Sequence, residues 1–440
     1  MVFFHLAIVL GFIFLGARLG SIGIGYAGGF GVIVLALTGI KVSPATIPID
    51  VMLIIMSVIA AIGAMQVAGG LDFLVNWAER MLRKKPQHIT FFAPLITFFM
   101  TLMAGTGHTA FSTLPVIAEV AKEQGIRPSR PLSIATVSSQ IAITASPISA
   151  AVVVLAGIMA PLGVDYLDIL IICIPTGLLA VVLTSFVCNR MGKELKDDPV
   201  YQERLAAGVI KLRGAQEIEI KPHAKLSVGI FLGAILLVMF YATAISPRVG
   251  ILTGDAIIMT RDAAIISIML MAAAVISLCC KIRTVDVLSA PTFKSGMSAV
   301  ICVLGVAWLG TTFVNAYTAE INALAGDLLN VYPWLLAVAL FFSSMLLYSQ
   351  AATTRTLMPL AATLVVAGAA SPLTLVASFA AVSALFVLPT YPTLLAAVEF
   401  DDTGSTRIGK YVFDHPFFIP GVLTIVLAVF FAFIWGAIVL

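Results

Sequence analysis

Charge is what this sequence has least of. Of its 440 residues only 11% are Asp, Glu, Lys or Arg, while 60% are hydrophobic. A soluble domain carries about 25% charged residues, so an ordinary water-facing surface cannot be built from this chain. Acidic side chains are scarcest where they would matter most. None falls near the centre of an apolar run, and the nearest, Glu119 and Glu399, sit toward run ends. Carriers of protons and metal cations commonly use buried carboxylates, so their absence argues against a cation as cargo. The five cysteines, Cys173, Cys188, Cys279, Cys280 and Cys302, lie in or beside apolar runs without a CxxC spacing. They read as small packing residues and not as metal ligands. Neither a phosphate-cradling GxxxxGK[ST] loop nor an HExxH helix is present, and no cofactor or metal is implied. The first apolar run has no basic segment before it and reads as a retained helix, not a cleaved leader.

What is present is a succession of runs near the ~20 residues that span a bilayer. Ten fall at about 2–17, 20–39, 50–68, 131–160, 166–189, 226–245, 262–280, 294–312, 372–398 and 416–438. Two more stretches, 88–121 and 332–370, are interrupted by Gly105-Thr106-Gly107-His108-Thr109 and by Ser349-Gln350-Ala351-Ala352-Thr353-Thr354-Arg355. Such breaks cannot face lipid, because their backbone polar groups would lack partners. Read as re-entrant hairpins, with both termini periplasmic, they place 21 of the 25 Lys and Arg on the cytoplasmic side, including those of loop 190–225. That obeys the positive-inside rule. A single crossing by the first stretch would put Lys122, Arg127 and Arg130 outside and reverse the basic loop.

The chain then divides into two five-span halves, 1–190 and 226–440, joined by a linker over 191–225 that reads as a solvated connector. An odd number of spans per half forces opposite orientation. Each half has three spans (1–68 and 226–312), an amphipathic interfacial segment (70–85 and 314–330), a hairpin, a span broken by proline, and a last span. In the first amphipathic segment Leu71, Leu74, Val75, Ala78 and Leu82 form one stripe, with Asp72, Asn76, Glu79, Arg80 and Arg83 away from it. Its counterpart has Tyr317, Ile321, Leu324 and Leu328. Pro147 follows Pro115 by 32 residues and Pro392 follows Pro359 by 33. The expected fold is an all-α polytopic membrane protein built of two inverted five-helix repeats, each with a re-entrant hairpin and a broken helix.

Paired discontinuous helices at mid-membrane depth point to a transporter. The broken spans carry Thr144-Ala145-Ser146-Pro147-Ile148-Ser149 and Pro389-Thr390-Tyr391-Pro392-Thr393. Proline interrupts a helix, and the new half-helix start exposes N–H groups with partial positive charge. Four such elements converging give a pocket rich in donors and empty of carboxylates, which suits an anion. Two sets of half-helix starts could take the two ends of a short diacid. Candidate substrate contacts are Gly105, Thr106, Gly107, His108, Thr144, Ser146, Pro147, Ser149, Gln350, Thr353, Thr354, Arg355, Thr390, Tyr391 and Thr393. Each has a structural alternative. Gly105 and Gly107 would permit a tight tip, the hydroxyls would satisfy broken backbone, and Arg355 would reach an interface or a carbonyl. A membrane-embedded enzyme would need a catalytic carboxylate, a His–Ser arrangement or a metal site, and no such cluster is seen; an anion channel would show flux without saturation or counter-substrate stimulation.

The stretches GTGH, LPVIAEVAKEQGIRP, ITASPISAAVV, GVAWLG, YSQAAT, LPTYPTLLAAV and DDTGSTRIGKYVF…HPFFIPG resemble the anaerobic C4-dicarboxylate (Dcu) transporter family, in its DcuA-type branch, along essentially the whole chain. The resemblance implies exchange of aspartate, fumarate, malate and succinate across a bacterial inner membrane in fumarate respiration. It also implies an ion-transporter-superfamily fold, a homodimer and an elevator motion of hairpins and broken spans against the other spans. A proton-coupled symporter is the alternative mode. The Ser-Asn-Thr tip signatures of sodium-using relatives are absent.

Overall fold

A computed structural model describes residues 1–19, 22–47, 49–210, 220–245, 249–317, 319–320, 332–366, 368, 370–389, 391–411 and 413–440. All regular structure among them is helical. The first half opens with α1 (Val2–Leu19), α2 (Gly23–Leu37) and α3 (Ile49–Val67). The chain then bends by 75° into α4 (Gly70–Lys84). α4 buries Leu71, Val75, Ala78 and Leu82, the expected stripe, and also Glu79, which the sequence placed on the polar side. Glu79 is inside because Arg83, one turn on, pairs with it at 2.7 Å.

α5 (Ile89–Ala104) and α6 (Ala110–Glu123) flank the first tip. Arg83, shortly before α5, also pairs with Glu123 at the end of α6. The two ends of this stretch therefore lie together, as the arms of a hairpin must. α7 (Ser129–Ile141) gives way to a short 3-10 turn and then, past the break, to α8 (Ala150–Met159). α9 (Tyr166–Cys188) starts from a capping box of Asp165 and Asp168, which satisfies orphan N–H groups reciprocally.

The second half follows α10 (Pro199–Ala206). α11 (Ala224–Ala244) and α12 (Arg261–Cys279) lead through the short α13 (Thr284–Val287) to α14 (Pro291–Cys302), a π-turn at Val303–Ala307, and α15 (Trp308–Ala316). Most of the expected second amphipathic segment, with Ile321, Leu324 and Leu328, lies outside the described residues. α16 (Leu335–Leu347) and α17 (Gln350–Val366) flank the second tip, which is only Tyr348-Ser349: Gln350 to Arg355, expected within the interruption, form the first turns of α17. α18 (Pro372–Ser378) continues as a 3-10 segment to Phe386, then breaks before α19 (Pro392–Phe400), and α20 (Phe418–Val439) ends the chain.

Among the described residues six helical stretches, 86–104, 129–162, 166–188, 224–244, 254–279 and 418–439, are long and apolar enough to cross a bilayer. Five match expected spans, while 86–104 is expected as the arm of a hairpin; α3 qualifies only together with α4, and the other expected spans are shorter apolar helices. A separate small core joins α1, α2 and α15 through Val9, Ile13, Leu35, Leu309 and Phe313. There α2 meets the π-turn backbone to backbone, so that a Cβ on Gly305 would lie 1.9 Å from the Gly25 carbonyl oxygen.

Packing around the breaks follows one rule in both halves. The first arm of each hairpin packs on the first part of its own broken span, α5 on α7 and α16 on the segment 379–386. The second arm packs on the far part of the other half's broken span, α6 on α19 and α17 on α8. The last helices, α9 and α20, pack together antiparallel: Thr424 bonds Thr184 at 3.1 Å and the Trp435 indole N–H donates to Ile171 O at 3.1 Å.

The linker is more than a solvated connector in its first part. Asp198 is buried and bonds Arg127, at the foot of α7, at 2.5 Å, with Arg407 at 3.6 Å. Arg130 pairs with Glu194, Arg204 donates to Asp402 O, and Lys122 pairs with the Asp402 carboxylate. Residues 194–204 are thereby clasped to the ends of the first hairpin and both broken spans.

Candidate functional site

The first tip begins where Gly105 adopts φ +68° and ends α5, a left-handed position that favours glycine. It rests on the first break, since a Cβ on Gly105 would lie 2.9 Å from Ile148 Cγ1 and one on Gly107 3.3 Å from Ser139 O. The second tip uses a tyrosine at the matching place. Tyr348 has φ +55°, and its ring lies 6.1 Å from that of Tyr391 in the second break.

Each break is held open by side chains that take up its carbonyls. Ser146 Oγ donates to Leu102 O at 2.7 Å, and Ser149 Oγ donates to Ile143 O at 2.7 Å while capping the Val152 N–H of α8. The Tyr166 hydroxyl donates to Pro147 O at 2.5 Å. In the second half His415 Nε2 meets Val387 O at 3.2 Å. In both halves, then, the residue at or just before the start of the last span braces the break.

The two breaks are tied to each other at Gln140, which is 1% exposed. α7 stops one residue later, and besides the Ala142 N–H that caps the helix the Gln140 carbonyl takes two bonds from the second half. Gln350 Nε2 donates to it at 3.1 Å and Ser383 Oγ at 3.2 Å. The Gln140 amide reaches Thr393 Oγ1 at 3.5 Å. The second tip and both breaks thus meet at one residue, and the first tip rests on its neighbour Ser139.

Over residues 1–440 the chain matches the model of the anaerobic C4-dicarboxylate membrane transporters. The chain belongs to this family. It is 62% identical over 440 residues to the C4-dicarboxylate transporter DcuA of Wolinella succinogenes and 56% identical over 441 residues to that of Escherichia coli, covering all of each. Among solved structures the YdaH transporter of Alcanivorax borkumensis shares the fold, with a TM-score of 0.56 at 16% identity over 99% of this chain and 97% of that one. The protein is accordingly a multi-pass membrane transporter and not an enzyme.

Most candidate contacts of the transporter gather at the junction, with their hydroxyls turned to backbone. Thr144 donates to Ile141 O, Thr353 to Ser349 O and Thr354 to Gln350 O. Thr106 O accepts from Thr109 Oγ1 at 3.2 Å. Arg355 is half-buried on α17 and engaged with neighbouring groups. Thr390 and the His108 side chain lie outside the described residues. The first N–H groups of α8 (Ala150, Ala151), those of Gln350 and Ala351 in α17 and that of Thr393 in α19, whose first residue Pro392 has none, have no intrahelical acceptor, and Ser349 Oγ caps the Ala352 N–H at 3.2 Å. A cavity of about 10 Å³ opens beside Thr144, between α9, α18 and α20, which is room for about one water and not for a diacid. Sequence reasoning missed Gln140, Tyr166 and His415. Gln140 carried a signal: it is an amide inside the apolar run 131–160.

Proposed function

We propose that the protein exchanges four-carbon dicarboxylates across a bacterial inner membrane, aspartate or fumarate entering as succinate leaves, by alternating access. The observation that carries this reading is the junction at Gln140, where the second tip and both broken helices of a dicarboxylate-transporter family member are tied together deep in the fold, with the first tip resting on the neighbouring Ser139. Helix starts aimed at such a junction offer N–H donors with partial positive charge. α8 and α19 start on its two sides, one set for each carboxylate. Arg355, Gln350 and the tip amides of residues 105–108 complete the proposed site.

The antiparallel pairing of α9 with α20 supports inverted halves, since these are the last spans of each. The packing rule around the breaks supports an elevator. Hairpins and broken spans brace one another and pack with α9 and α20 as one unit. That draws the line differently from the sequence, which left the last spans with the scaffold. We place α1–α3 and α11–α15 in the scaffold, paired with that of a second copy.

Proteoliposomes loaded with succinate should take up labelled fumarate far faster than empty ones. Equal rates from loaded and empty vesicles would remove the exchange mode, and a rate set by the pH gradient alone would replace it with proton symport.

A further inference from the structure

Away from the junction residues is a cavity of about 290 Å³ lined by Val67, Lys221, His223, Cys280, Lys281 and Arg283, together with Asp286. Three chain ends build it: the end of α3, the start of α11 and the turn from α12 into α13. Its charge is one-sided. Arg283 is engaged by Asp286 through two contacts of 3.0 and 2.9 Å, which leaves Lys221 and Lys281 as net positive charge, with His223 at the N-terminus of the 21-residue α11. Lys281 is held at φ +53°, where glycine would be easier for the backbone. Lys221 donates to the Val67 carbonyl at 2.8 Å across the mouth.

Two further features fix its depth and surroundings. α4 leaves α3 beside the cavity with a 75° bend and lies amphipathic along the same face, which is how a helix in the membrane interface lies. Flanking the basic residues in the chain are exposed apolar side chains: Leu226 is 47%, Leu278 77% and Val285 62% exposed. A basic recess beside an amphipathic helix, with exposed apolar side chains next to its basic residues in the chain, suits an amphiphile. We infer that this cavity binds the phosphate of an anionic phospholipid headgroup, with the acyl chains lying along Leu226, Leu278 and Val285. Basic pockets between the ends of membrane helices take such headgroups. A free phosphate ion would use the cations but gain nothing from the collar.

The test is lipid retention by the purified full-length protein in native mass spectrometry, with phosphatidylglycerol, phosphatidylcholine or inorganic phosphate added singly. Wild type should retain phosphatidylglycerol in preference to phosphatidylcholine. Lys221→Gln with Lys281→Gly should lower that retention about thirtyfold, taking about a factor of five for each basic side chain at an anionic surface. Lys281→Gly also relaxes the backbone, so the double variant should keep its thermal midpoint. Lys281→Arg should retain the lipid. Unchanged retention in the double variant, or equal retention of the two lipids by wild type, would overturn the inference. So would inorganic phosphate binding at these lysines without retained lipid, which would make the site one for a soluble anion.

Discussion

Replacing Tyr166 by Phe tests the bracing of the first break with a single atom. The hydroxyl donates to Pro147 O at 2.5 Å from a fully buried ring, and Phe keeps that ring and its stacking with the Arg261 guanidinium, 4.8 Å away. What is lost is the partner of a buried carbonyl, which costs about 1–3 kcal/mol. At about 2.1 cal/mol/K of unfolding entropy per residue, spread over 440 residues, the thermal midpoint should fall by about 1–3 °C. Exchange should fall further, by about tenfold, because about 1.4 kcal/mol drawn from the competent geometry of the break lowers its population by that factor. Tyr241→Phe is the matched control. It deletes a hydroxyl that donates to Met259 O at 2.8 Å in the scaffold, and it should cost similar stability while leaving exchange unchanged. Counterflow of labelled fumarate and thermal unfolding in detergent, measured on both variants, separate the two effects. Equal transport losses in both, or wild-type transport in Tyr166→Phe, would refute the idea that this hydroxyl shapes the site.

Gly105→Ala forces a Cβ onto a φ of +68° and to 2.9 Å from Ile148 Cγ1, so it should cost about 1–2 kcal/mol and slow exchange; unfolding midpoints and counterflow check it. Ser149→Ala removes the cap of α8 and should destabilise by about 1 kcal/mol, read by the same unfolding assay. Asp198→Asn leaves Arg127 buried beside a neutral partner and should cost about 3 kcal/mol, seen as release of residues 194–204 to protease. Burial works to raise the Asp198 carboxyl, but the Arg127 hydrogen bond, the Val200 N–H and the charges of Arg127 and Arg407 outweigh it and hold it below the ordinary carboxylate range. A depressed folded value stabilises above the unfolded one and is lost as pH falls through the folded value. Protease resistance of the linker should therefore persist from pH 8 to about 5 and fail only below about 4.

The helices were legible because each apolar run and each proline acts locally. Gly105 ends α5 and Pro392 starts α19 without help from distant residues, so the first tip and both breaks could be placed from the chain alone, whereas the second tip is shorter than the chain alone suggests, because the polar run Gln350–Arg355 is helical. The braces were not legible, because they join residues remote in sequence. Nothing local says that Tyr166 reaches Pro147, that His415 reaches Val387, or that Gln350 reaches back to Gln140, a separation of 210 residues. The clasp of Asp198 escaped for the same reason: Lys193-Glu194-Leu195-Lys196-Asp197-Asp198 has the composition of a solvated loop, and its partners are Arg127 and Arg407.

The direction in which the hydroxyls donate bears on how such a site would work. A Ser or Thr hydroxyl has one proton to give. Ser146 gives its proton to Leu102 O, Ser149 to Ile143 O, and Thr144, Thr353 and Thr354 give theirs to carbonyls one turn back. These side chains hold the helices broken, and on the proposed reading anion recognition falls to what the hydroxyls leave over: the N–H groups at the starts of α8 and α17 not capped by Ser149 and Ser349, and that of Thr393 in α19, with Arg355. While the site faces water those N–H groups are solvated. In transit they would be dry, and each unpaired donor costs about 1–3 kcal/mol. Two left unpaired slow the empty crossing by about 30-fold to 10⁴-fold, whereas a dicarboxylate pairs them at both ends. An empty carrier stalls and a loaded one passes, so on the proposed reading obligate exchange follows from donors that the breaks expose and the hydroxyls cannot satisfy.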